Sequence, residues 1–238
     1  MTGWNSMNPQ PNPGKNLVIE VTGVKYERHP IKTPVIKKGD DLISIIRACA
    51  GQFLKPGDMI FVSEKIVAIS QGRSWHIDDI KVTPLARYLS GKVYKSPYGI
   101  GLGSPWTMQL ALDEVGYVRI FAGILVHLIC KPFGIKGMFY RVVGRTVAAI
   151  DGPCDYTIPP YNKYAKLGPK NPNKVARDFK TTLGHDIVII DANDLGVNIL
   201  GTSTKATPTE VLAAIFKDNP LGQTNEQTPV CIVRPLTS

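Results

Sequence analysis

The chain has no paired cysteines, no long apolar run and no nucleotide- or metal-binding signature, and each absence removes a class of function. Cys49, Cys130, Cys154 and Cys231 lie far apart, which excludes both a zinc ligand set and a disulfide framework and fits a reducing cytoplasm. The most apolar stretch, residues 120–130, is bounded by Arg119 and Lys131 and contains His127. It falls well short of the ~20 residues a membrane span needs, so a buried helix or strand is expected there and no membrane partner. His29, His76, His127 and His185 show neither HExxH spacing nor a nearby nucleophile, which removes the zinc, serine and cysteine hydrolase readings. No Gly-Lys-Ser/Thr phosphate loop exists, and Gly99-Ile-Gly101-Leu-Gly103 does not have dinucleotide-fingerprint spacing. Acidic residues are outnumbered, 19 against 28 basic, for a net charge of +9. Because the cations form no basic block, the balance points to anionic small ligands such as phosphates, or to plain solubility, rather than to nucleic acid. Residues 1–16 contain Pro9, Pro11 and Pro13 but no apolar core, which reads as a disordered tail and not as a signal peptide.

What is present is a globular α/β pattern with 43% hydrophobic residues, enough for a sizeable core. Residues 17–24 alternate as a first strand would, and residues 30–34 are extended because residues before proline avoid the helical region. Asp40 caps a helix with Leu42, Ile45, Ile46 and Cys49 on one face, ended by Gly51. Residues 59–62 form a second strand, Thr83-Pro84 starts a short helix, and Ser104-Pro105 starts another carrying Met108, Ala111, Leu112 and Val115. The Gly, Ser and Pro of residues 94–103 mark a composition shift suited to a domain boundary. Residues 146–150 read as a strand. Asn173 caps a helix before the β-branched run of residues 187–190, and Thr207-Pro208-Thr209-Glu210 reads as a capping box. A last strand covers residues 230–233.

Five places carry candidate chemistry. Asp191-Ala-Asn-Asp194-Leu-Gly196 follows the 187–190 strand, and Asp151-Gly-Pro-Cys-Asp155 follows the 146–150 strand. Carboxylates where a strand hands over to a loop can converge on a divalent cation, although the same residue types also build ordinary turns. Ser63-Glu64-Lys65 interrupts the apolar stretch at a strand end and could meet a phosphate or metal, or be a solvated ion pair. Gln71-Gly72-Arg73 is a further polar candidate or a glycine turn. The loop of residues 220–229 is nearly all hydrogen-bonding side chains, which suits a polar ligand as well as solvent.

Taken in order, these motifs resemble the coenzyme F420-0:gamma-glutamyl ligase family. The likeness covers about residues 31–236 and rests on Ile36-Lys-Lys-Gly-Asp-Asp-Leu42, the segment from Gly57 to Arg73, Ala149-Ile-Asp-Gly152, the segment from Asn171 to Gly196, and the segment from Pro208 to Arg234. The resemblance implies a two-lobed α/β fold with mixed sheets, in which residues 17–95 and 205–238 make one lobe and residues 96–204 the other, and two chains pair as a homodimer. It implies a ligase that uses GTP, or ATP, and Mg or Mn to join glutamate to an acidic acceptor such as F420-0. By the same resemblance Asp151, Asp191, Asp194 and Gln223 stand at metal positions, Gln223 where the family has an acidic ligand. Lys32, Thr33, Glu64, Lys65, Gly222, Thr224, Asn225 and Glu226 would surround the nucleotide. The chain departs from the family at Gln223 and in three motifs, one of them Asp191-Ala-Asn-Asp194-Leu-Gly196 where the family has Ser-Asp-Thr-x-Gly, which leaves open which aspartate takes the metal position. It reads Ala68-Ile69-Ser70-Gln71-Gly72-Arg73 where the family has Ser-Lys-Ala-Glu-Gly-Arg, and its 148–154 segment lacks two asparagines. These losses keep open a second reading, a non-catalytic nucleotide-binding or regulatory paralogue.

Overall fold

A six-stranded sheet orders the first of two units, and its register decides which loops meet. The computed structural model describes residues 9–93, 101–135, 137–193, 196–222 and 224–236. Unit one comprises Met1–Gln71 and Asn171–Ser238, and unit two comprises Gly72–Lys170. The break falls earlier at both junctions than residues 95 and 204, because the 171–204 segment contributes two strands to the sheet of the first unit.

Unit one begins with the hairpin β1 (Val18–Val21) and β2 (Val24–Ile31), followed by α1 (Leu42–Ala50), β3 (Met59–Ser63) and α2 (Glu64–Ser70). Unit two holds β4 (Ser74–His76), α3 (Pro84–Ser90), α4 (Pro105–Val115), α5 (Tyr117–Cys130), α6 (Met138–Val143), α7 (Arg145–Ala148) and β5 (Tyr164–Lys166). The chain then returns to unit one as α8 (Pro172–Leu183), β6 (Asp186–Asn193), β7 (Gly196–Thr202), α9 (Thr209–Ile215) and β8 (Val230–Leu236).

The sheet order is β1-β2-β8-β3-β6-β7. β8 runs antiparallel to both β2 and β3, and β3 is parallel to β6. The carboxyl ends of β2, β3 and β6 therefore share one edge with the amino end of β8. Alternation splits the buried residues between two faces. Phe61, Val188, Ile190, Cys231 and Val233 pack with Leu212 and Ile215 of α9 and with Phe216 at its C-cap, and Phe61 stacks on Phe216 with ring centroids 4.3 Å apart. On the other face α8 crosses β7 so closely that a Cβ on Gly201 would lie 2.4 Å from the Pro172 carbonyl carbon.

Several local expectations shift. The α1 cap is Asp41, whose carboxylate accepts from Ile43 N and Ser44 N, whereas Asp40 accepts from Lys37 N in the preceding turn. Asn171 caps α8, leaving Asn173 to accept from Thr202 N. α9 starts one residue later than a capping box on Thr207 requires, with Pro208 as its cap. Residues 9–16 are not a free tail. The buried Asn12 donates to Pro220 O (2.9 Å) and Thr228 Oγ1 (2.8 Å), and Lys15 donates to Asp218 O. Its polar side chains find fixed acceptors, which composition alone could not foresee.

Unit two is mainly helical, with a core of Leu102, Met108, Leu110, Leu112, Ile120, Val143 and Val147. Two expectations fail here. Residues 146–150 are not a strand: α7 and a turn (Ile150 N to Val147 O) occupy them, because the segment packs Val147 and Ile150 inward at helical and not alternating spacing. Residues 120–130 are helical but not a buried element, with only Ile120 and Gly123 of α5 buried and the rest exposed or half-buried.

Candidate functional site

The edge formed by the ends of β2, β3 and β6 gathers most of the candidate nucleotide residues. Ile31 pairs with Val230, Val62 pairs with Val230 from the other side, and Ser63 pairs with Ile190. One step beyond these rows the chain carries Lys32 just past β2, Glu64 just past β3 and Asp191 within β6, three strands that run the same way. In open α/β sheets, ligands bind outside the carboxyl ends of strands because there the backbone turns away and the side chains stay fixed.

Backbone hydrogen bonds tie the loops of this edge together. Thr33 N donates to Gln227 O, Gln227 Nε2 donates back to Thr33 O at 2.7 Å, and Ser63 N donates to Pro229 O at 2.8 Å. The Lys32-Thr33 segment, the strand end at Ser63 and residues 227–229 of the polar loop are thus one assembly. Within it Thr33 is buried, Lys32 exposed, Glu64 buried and Lys65 half-buried. The Ser63-Glu64-Lys65 interruption is the start of α2, with Ser63 Oγ accepting from Lys65 N.

The polar loop closes on itself. Glu226 accepts from Thr224 N (2.7 Å) and Thr224 Oγ1 (3.0 Å), while Asn225 is exposed. Gly222, at φ +78°, leaves room for that carboxylate: a Cβ there would lie 2.4 Å from Glu226 Cδ. Beneath the loop, Asn219 Nδ2 donates to Gly222 O and Thr228 Oγ1 to Leu221 O. Gln227, Asn219, Thr228 and Asn12 are supporting residues that the motif reading missed. The Asn219-Pro220 and Thr228-Pro229 pairs were the available signal, since such dipeptides mark turns whose side chains bind backbone.

Of the four candidate metal positions, Asp191 alone is among the described residues of unit one. Asp191 lies inside β6, opposite Asn198, and not past a strand exit, because β6 continues to Asn193 and returns as β7. Its neighbours Ile190 and Ala192 belong to the α9 cluster, so alternation turns Asp191 to the opposite face. Asp194 and Gln223 lie outside the described residues. Asp151 belongs to unit two, in an isolated bridge with Lys166. Nearby, the Tyr156 hydroxyl is pushed up to about 12 by its hydrogen bond with Cys154 and by burial, with the charges of Cys154 and Asp151 adding to the shift. Glu64, the first residue of α2, and Asp191, inside β6, supply two carboxylates one step beyond the paired Ser63 and Ile190, a beginning for a hard-cation site. Yet among the described residues no three His, Cys, Asp or Glu side chains gather into a metal-binding group. The described donors alone therefore do not amount to a cation site.

Arg73, from the other polar candidate, is structural. It is buried, with Nε donating to Gly168 O and Nη2 paired with Glu114 at 2.6 Å.

A family model described as F420-0:Gamma-glutamyl ligase matches residues 30–209, about three quarters of the chain. The match includes Lys32, Thr33, Glu64, Lys65, Asp151 and Asp191 but ends before the 222–229 loop, whose place at the edge rests on its hydrogen bonds. No curated protein gives a significant match. A match of this extent, in motif order, establishes that the chain belongs to the F420-0:gamma-glutamyl ligase family.

Proposed function

We propose that the chain is a nucleotide-dependent amide ligase that joins glutamate to an acidic acceptor of the F420-0 type, with GTP as the energy source and Mg or Mn as its cofactor. The observation that carries the reading is the convergence of Lys32-Thr33, Glu64-Lys65, Asp191 and the 222–229 loop on one sheet edge. The chemistry is phosphoryl transfer followed by acyl transfer. An acceptor carboxylate oxygen attacks the terminal phosphorus as its bond to the bridging oxygen breaks and the nucleoside diphosphate leaves. The glutamate amine then attacks the acyl carbon, phosphate departs, and the amine loses a proton.

The chain's own part in this is to bind and to orient. Lys32 and Lys65 supply point charges to phosphate oxygens. Thr33 is held against Gln227 through two hydrogen bonds, one from the Thr33 amide and one from the Gln227 side chain, so the lysine beside it starts from a fixed backbone. A cytoplasmic homodimer is part of the same proposal.

Calorimetry with GTP and ATP, with and without Mn, tests the binding step. Lys32→Ala is expected to weaken GTP binding on the order of tenfold, the equivalent of about 1.4 kcal/mol. Absence of nucleotide binding in every condition would sink the reading.

A second reading, the non-catalytic paralogue, has its own observation. Ile69, which stands where the family carries a lysine, is buried in α2 and offers nothing to a phosphate. Phosphate release across a panel of acidic acceptors with glutamate separates the two. Turnover with any of them establishes the ligase, and binding with no release across the panel favours the paralogue.

A further inference from the structure

Unit two carries an apolar surface that the ligase chemistry does not use. α5 buries one side only, where Gly123 sits so tightly that a Cβ would lie 2.8 Å from Val143 Cγ1. Its other side repeats Val118, Phe121, Leu125, Leu128 and Ile129, all exposed. Steps of three and four residues stack these side chains into one stripe. Phe133, 76% exposed, and Ile135 continue the apolar exposure past the helix end. Scattered exposed apolar residues need no explanation, but a continuous stripe marks a surface that something covers.

The charge of the segment identifies the cover. Between Gly116 and Ile150 the sequence has five Arg or Lys and no Asp or Glu, so no carboxylate within it neutralises the cations. Arg119, Lys131 and Arg141 are exposed there. A second copy laid on this segment would bring a face without a single carboxylate in its sequence against these cations, with no opposite charge to meet them. An anionic lipid surface complements both features, since its acyl boundary takes the stripe and its headgroups take the cations. Tyr117 and Tyr140, both exposed, have the amphipathic rings favoured at the headgroup level. Fourteen residues of α5 extend only ~21 Å. Among the described residues no single helix is long and apolar enough to cross a membrane, and α4 with α5 passes only as a pair bent by 109°.

We propose that α5 together with Lys131, Phe133, Ile135 and Tyr140 forms a peripheral docking surface for an anionic bilayer, with α5 lying in the plane of the interface. The surface is independent of the ligase reading and survives its failure.

Co-sedimentation of the full chain with phosphatidylcholine vesicles, with and without phosphatidylserine, tests it. Binding to the anionic vesicles is expected to exceed binding to the neutral ones on the order of tenfold or more and to weaken as salt screens the headgroups. Leu125→Asp with Ile129→Asp abolishes the binding while circular dichroism stays unchanged, because both side chains are exposed. Phe133→Ser, outside the helix, serves as the second variant and loses binding in the same sense if the helix variant does not fold. Lys131→Glu with Arg141→Glu removes the preference for phosphatidylserine. Equal binding to both vesicle types, or binding to neither, overturns the proposal. So does sedimentation velocity showing a wild-type dimer that Leu125→Asp with Ile129→Asp converts to monomer, with no vesicle binding.

Discussion

Replacing Gly222 by alanine perturbs the candidate loop in two separable ways. The backbone stands at φ +78°, where a Cβ costs about 1 kcal/mol through its clash with the neighbouring carbonyl. The new methyl would also lie 2.4 Å from Glu226 Cδ and 2.7 Å from its Oε2. The carboxylate must swing away and release Thr224 N and Thr224 Oγ1. Two partly exposed hydrogen bonds contribute roughly 1–2 kcal/mol together, so Gly222→Ala is expected to cost roughly 2–3 kcal/mol. Glu226→Ala loses only the bonds, roughly 1–2 kcal/mol. The double variant should cost no more than Gly222→Ala alone, since the same bonds cannot be lost twice, whereas independent sites would add. Urea unfolding followed by circular dichroism, compared at constant slope, measures all three. Additive single effects, or a Gly222→Ala chain within ~0.5 kcal/mol of wild type, would refute the idea that Gly222 is there to admit the Glu226 carboxylate.

Other perturbations test the frame behind the loop. Gly201→Ala drives a Cβ to 2.4–2.7 Å from the backbone of Pro172 and Asn173, which no side-chain rotation can relieve. A cost of at least roughly 1–3 kcal/mol should lower the melting temperature by about 3–10 °C at this chain length, and an unchanged melt would contradict the packing of α8 on β7. Asp58 takes two hydrogen bonds from Arg234, at 2.8 and 2.7 Å, and one from Lys55 N. Asp58→Ala removes those three bonds and leaves Arg234 the Phe53 carbonyl and the Glu27 carboxylate 3.8 Å away, so it should cost about 2–3 kcal/mol by urea midpoint, with Asp58→Asn recovering part of it. Burial would raise the carboxyl pKa of Asp218, but the hydrogen bond and charge of Arg28 outweigh it and hold the group below its ordinary value. A depressed folded pKa means stability present above the unfolded value of about 3.9 and lost as pH falls through the folded one. Asp218→Asn should therefore flatten the acid limb of a stability–pH profile, and an identical limb in both proteins would exclude Asp218 from it.

The fold was legible where local chemistry and burial agree. The apolar runs at residues 59–62, 187–190 and 230–233 are all in the sheet, and the Pro and Gly punctuation placed α3, α4 and α8 within a residue or two of their ends. It misled where tertiary contacts decide. Residues 146–150 have β-branched and apolar content, yet α7 forms because Val147 and Ile150 face the helical core of unit two. Residues 191–193 looked too polar to extend a strand, but pairing of Asp191 with Asn198 and Asn193 with Gly196 satisfies their backbone, and the strand continues. A pattern of side chains does not report such partners, because they come from residues that are distant or that belong to the returning strand.

The candidate site shows the same division more sharply. Lys32, Glu64 and the 222–229 loop are separated by tens to nearly two hundred residues, and nothing in their spacing places them together. What brings them to one edge is the insertion of β8 between β2 and β3, which sets the Thr33–Gln227 and Ser63–Pro229 hydrogen bonds side by side. Residue type at a strand end suggested chemistry in each segment separately, and strand order supplies the convergence. For Asp151 that order is silent, since its bridge to Lys166 belongs to the other unit. Asp151→Asn therefore discriminates between two roles. If Asp151 serves a shared cation, the substitution abolishes Mn-dependent nucleotide binding while leaving the fold of unit two intact. If its role is confined to the bridge, calorimetry returns unchanged binding, and the site reduces to the sheet edge of unit one.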